Sequence, residues 1–109
     1  MKTVCLVLSA LVVSPWAAAA TISGSLVDGG GLDDVQVVVR AADGRRVAAY
    51  CTDRCGDWFV DEDEGSRLRK SLKNKAVVMR YEMEANKGRI AGPGPADRLT
   101  FVKRIEFAR

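Results

Sequence analysis

The stretch VQVVVRAADGRRVAAYC, residues 35–51, constrains the fold of this chain more than any other. Val35, Val37 and Val39 alternate with Gln36, Val38 and Arg40. A period of two puts every second side chain on one face of a sheet. Asp43-Gly44 interrupts the alternation, and Arg46 to Cys51 resumes it. Asp-Gly between two such runs predicts a β-hairpin closed by a type I′ turn, which needs positive φ at both central residues.

The remaining segments extend the pattern. TISGSLVD, from Thr21, sets Ile22, Gly24 and Leu26 against polar neighbours, a strand with glycine as its expected bulge. Gly29, Gly30 and Gly31 with LDD are expected to form a flexible loop. AVVMRYEMEAN is a strand that places Val77, Met79, Tyr81 and Met83 on one side. Pro93 and Pro95 stiffen the long loop that follows, and LTFVKRIEF closes the sheet with Leu99, Phe101, Ile105 and Phe107 inward. Ahead of these strands, acids at 61–64 precede Arg67, Arg69, Lys70 and Lys73, the order that complements a helix dipole. Asp61 with Glu64 suggests a capping box, with Ser66 as the alternative cap, and Leu68 and Leu72 share a face at i,i+4.

The predicted order is β-β-β-α-β-β, a mainly β fold. It fits a five-stranded OB-fold-like, partly open barrel with one short helix between strands 3 and 4 plugging an end. A small sandwich is the rival architecture, and the lone helix argues against it.

The chain opens MKTVCLVLSALVVSPWAAAA. A basic start, a short apolar run and small residues before a cleavage point describe a secretory signal. The run is too short to span a bilayer. Residues 1–20 are therefore expected to be a signal peptide, cleaved after Ala20 or one residue earlier, and residues 21–109 a single domain with no membrane span. Cys5 would leave with the leader. Loss of Lys2 brings the 17 basic and 14 acidic residues to a net charge near +2. That is too mild to favour polynucleotide binding, which usually shows a strong basic excess or stripe. The expected location is the bacterial periplasm or outside the cell.

There is no histidine. Ser-His-Asp and Cys-His catalysis, His-ligated zinc and haem attachment are thereby excluded. Cys51 and Cys55 in YCTDRCGDWF admit three readings. An oxidising compartment favours a structural disulfide, which would stabilise the fold by about 2 kcal/mol in the chain-entropy model. A redox dithiol normally has C-x-x-C spacing at a helix N-terminus, and here the spacing is one longer and acids crowd it. Two thiolates with Asp53 and Asp57 make a poorly matched metal site, and no calcium-loop spacing occurs at 57–64. No metal and no cofactor are expected. Trp58 and Phe59 are expected to cover the barrel end.

The mature chain resembles the bacterial OB-fold (BOF) family of small periplasmic proteins. The signal peptide, TISGSL, the join SLKNKAVVMRYEM and the end DRLTFVKRIEF carry the resemblance. It spans most of the mature chain and is architectural, with no catalytic signature. YCTDRCGDWF and NKGRIAGPGPADR depart from that family's pattern. The resemblance implies a link to envelope stress tolerance and small-ligand binding.

Binding rather than catalysis suits such a barrel, whose ligands lie on strands 2 and 3 and on the loops joining strands 1–2 and 4–5. The candidate ligand residues are Arg40, Arg46, Tyr50, Lys87, Arg89 and Arg98. Few aromatics are placed to stack bases, so an anionic small molecule, an anionic glycan or an envelope protein is expected ahead of nucleic acid. Two other function classes fit: an inhibitor or immunity-type protein blocking an envelope enzyme, and a thiol–disulfide protein using Cys51 and Cys55. Asp53 and Arg54, at the tip of the cysteine loop, are further candidates for a partner contact. Pairing of strand edges between chains is left open by the sequence.

Overall fold

The computed structural model describes residues 19–109. The expected signal peptide thus lies, but for Ala19 and Ala20, outside the described residues. Those two alanines continue the first strand and pair with Glu82 and Tyr81.

Seven strands follow in order: β1 Ala19–Gly31, β2 Gln36–Arg40, β3 Arg46–Tyr50, β4 Phe59–Glu62, β5 Gly65–Leu68, β6 Ala76–Ala85 and β7 Arg98–Phe107. Five of them close a barrel in the order β1-β2-β3-β7-β6 and back to β1. All neighbours in that ring are antiparallel except β3 and β7, which meet in parallel through one residue pair, Tyr50 and Phe101. This is the OB-fold-like barrel that the alternation predicts, and its β3–β7 seam is its weakest joint.

β1 makes closure possible by serving two neighbours. Residues Ala19 to Ser25 pair with β6, and Ser25 to Gly30 pair with β2, with a bulge between Leu26 and Asp28. Gly24 sits where the strand changes partner, and a Cβ there would overlap the Arg40 carbonyl. The expected bulge therefore lies past Gly24 rather than at it. The glycine run expected as a loop is also strand: Gly29 and Gly30 pair with β2, and Gly30 and Gly31 with β5. Without side chains, this run can lie between two close backbones.

Ile22, Leu26, Val37, Val39, Ala49, Val77, Met79 and Val102 form the core, together with Leu68 and both cysteines of the Cys51–Cys55 disulfide. Val37 and Val39 face inward and Arg40 outward, as the period-two pattern requires. The hairpin turn differs from expectation. Only Gly44 has positive φ, and Gly44 N–H donates to the Ala41 carbonyl at 2.9 Å. This is a three-residue connection with Gly44 as the left-handed residue, not a type I′ pair.

The helix between the third and fourth barrel strands is one 3-10 turn, Lys70–Leu72. The acids read as its first turn occupy a different element. β4 and β5 form a hairpin, Asp61 pairing with Ser66 and Glu62 with Gly65. The Ser66 hydroxyl donates to Asp61, and Arg67 pairs with Glu62 across the strands. Those charges are cross-strand partners, so the capping box does not form. Trp58, Phe59 and Leu72 pack on the core. Trp58 also stacks on Phe107 at 4.9 Å.

A bulge in β7 accounts for where Phe101 and Val102 point. Arg80 faces Arg104 but Tyr81 faces Val102, so Lys103 is the extra residue. Val102 then joins the core, while Phe101 turns to the outer face beside Tyr50. Phe107, expected inward, is 45% exposed, and Met83, expected on one side with Val77 and Met79, is 43% exposed.

Candidate functional site

The outer face of the β3–β7 seam carries a small core of its own. Phe101 is 1% exposed yet stands apart from the barrel cluster. The loop between β6 and β7 folds over it. Asn86 organises that loop and is fully buried. Its side-chain amide donates to the Ile90 carbonyl at 2.9 Å, and its Oδ1 accepts from Ile90 N–H at 2.7 Å. Its backbone N–H donates to the Asp97 carbonyl at 2.7 Å, closing the loop. Ile90 is buried beneath.

This fold lays Arg89 over the Phe101 ring, with the guanidinium carbon 3.8 Å from the centroid. Arg89 Nε donates to the Asn86 carbonyl at 3.1 Å. Its Nη2 donates to Glu84 at 3.1 Å and to the Ala85 carbonyl at 2.8 Å. Lys103 reaches the other Glu84 oxygen at 2.7 Å. The Lys103 hydrogen bond, aided by Arg89, holds the Glu84 carboxyl below its ordinary value against the opposing effect of partial burial.

The disulfide loop forms the opposite wall. Arg54 N–H donates to the Cys51 carbonyl at 2.8 Å, and Thr52 and Asp53 between them have φ of 39° and 69°. Positive φ at a β-branched residue is strained, and the covalent bridge spanning the turn holds it there. Arg54 Nη1 then reaches the Lys103 carbonyl at 3.1 Å. The third wall is Asp34, whose Oδ2 accepts from Ala91 N–H at 3.2 Å. Between these walls lies an open bowl of about 490 Å³, with Phe101 and Val102 lining it beside the charged residues.

The residues expected at a site separate into groups. Tyr50 and Arg89 converge on Phe101, and only Arg89 of the six lines the bowl. Lys87 and Arg98 stay with the loop: Lys87 N–H bonds the Pro95 carbonyl at 2.8 Å, and Arg98 bonds the Met83 carbonyl at 2.8 Å. Arg40 and Arg46 face each other at the far end of the β2–β3 hairpin, about 13 Å along the strand from Tyr50. Arg40 lines a separate cleft with Ser23, Ser25 and Asn74. The six do not make one surface. Lys103, Asp34 and Glu84 are the residues that sequence reading missed. Adjacent Val102 and Lys103 break the alternation of LTFVKRIEF, and that break is the only sign of the bulge that presents Lys103.

Among the described residues no cluster of His, Cys, Asp and Glu could hold a metal ion. No helix among them is long and apolar enough to cross a membrane. No family model matches the chain, and no curated protein or solved structure does either.

Proposed function

We propose that this chain is a non-enzymatic binding module of OB type, and that the bowl over the β3–β7 seam is its site for a small ligand bearing an anionic group. The observation that carries the reading is Arg89, held flat on Phe101 by three acceptors before any ligand arrives. A cation fixed in advance loses little freedom on binding. Its Nη1 has no partner among the described residues, and Arg54 and Lys103 stand beside it on the bowl. The site uses the loops by which OB barrels bind, joined by the disulfide loop.

Kinship with periplasmic OB-fold proteins and export from the cytoplasm belong to the same proposal. The barrel order supports the first, and a disulfide compatible with an extracytoplasmic compartment supports the second. Cys51 and Cys55 are 2% and 3% exposed, which speaks for a structural bridge over a redox dithiol, since reactive cysteines are partly exposed.

Calorimetric titration with acetate, inorganic phosphate, sulfate and galacturonate tests the reading. At least one of these anions should bind the wild-type protein and bind Arg54→Gln more weakly. Equal binding to both proteins, or binding of none, would contradict it.

A further inference from the structure

The bowl holds charge of both signs, which an anion-only ligand does not satisfy. Arg54 and Asp53 make no ion pair with any described residue. Asp34 spends one carboxylate oxygen on Ala91 N–H, and its other oxygen has no partner among the described residues. Arg89 and Lys103 share Glu84, so much of their charge is already balanced. A bare anion entering here gains from Arg54 and Arg89 and binds, but Asp34 and Asp53 weaken it relative to a ligand that also answers those carboxylates; a bare cation meets the reverse. Stacking is not on offer either. Arg89 covers the Phe101 ring, and Tyr50 does not line the bowl, so a sugar or a base finds no aromatic platform.

We propose that the ligand is a zwitterion, a free amino acid or the end of a peptide. Its carboxylate meets Arg54 and the unengaged nitrogen of Arg89, and its ammonium meets Asp53 and Asp34. Both charges of the ligand are then answered by groups already in place, and the open bowl of about 490 Å³ leaves room for a side chain. This rests on the reading of the bowl as the binding site and adds the second pole of the ligand.

The test compares three probe series by titration: the twenty free amino acids, their N-acetyl forms, which keep only the anion, and their amides, which keep only the cation. The best free amino acid should bind at least about tenfold more tightly than either of its derivatives. Asp53→Asn should abolish the preference over the N-acetyl form, and Arg54→Gln the preference over the amide. Both variants alter an exposed turn tip, and circular dichroism checks that they fold. An N-acetyl form binding as tightly as its parent would overturn the zwitterion and leave the anion site standing. Amides binding best would overturn both readings. No binding by any series would overturn the zwitterion proposal, while the inorganic anions still test the site.

Discussion

Asn86 shows how much one polar side chain can organise. It is fully buried, and both ends of its amide are bonded within the loop it starts. Asn86→Ala would leave the Ile90 N–H and the Ile90 carbonyl without those partners. Loss of about 2 kcal/mol or more is expected from urea denaturation, with faster amide exchange across residues 86–97. Glu84 gives a pH signature. Its folded carboxyl lies below the ordinary value of 4.5, so its contribution is present above that pH and is lost as pH falls through the lower folded value. Wild-type stability should therefore drop more steeply than that of Glu84→Gln as pH falls below 4.5. Parallel curves of the urea midpoint against pH would show that Glu84 plays no such part. Arg89 was recognisable in the sequence as a loop cation. Its anchoring was not, because Phe101 reaches the outer face only through the Lys103 bulge.

Strand alternation made most elements legible, and charge order misled at one. An acid run followed by bases reads as a helix start, yet the same residues pair across a hairpin, where Glu62 meets Arg67. Gly65, at φ +92°, was the discriminating signal, since a left-handed residue beside a two-residue connection favours a turn over a first helical turn. Glycine also separates two kinds of position. Gly44 has open space around it, so Gly44→Ala should lose only about 1 kcal/mol for its positive φ. Gly24→Ala pushes into the β2 backbone at the point of closure and should lose clearly more in the same denaturation series. The disulfide is a third element-scale case. Replacing Cys51 and Cys55 together by alanine should reduce stability by about 2 kcal/mol while far-UV circular dichroism keeps its strand signal.

At the scale of the whole molecule, the barrel and the bowl differ in how they are encoded. The barrel follows from local periodicity, repeated segment by segment, and the ring order follows from packing those segments. The bowl is assembled from Asp34, the turn at 52–54, Arg89 and Lys103, which no local pattern links. Closure of the ring brings them together, and the β3–β7 seam is where three loops can meet over one buried aromatic ring. The most direct measurement is a ¹H–¹⁵N correlation spectrum recorded during titration with the tightest-binding free amino acid. Shifts should concentrate at Asp34, Thr52 to Arg54, Arg89 to Ala91 and Lys103. Shifts gathered instead around Arg40, Arg46 and Asn74, at the opposite end of the hairpin, would contradict the account.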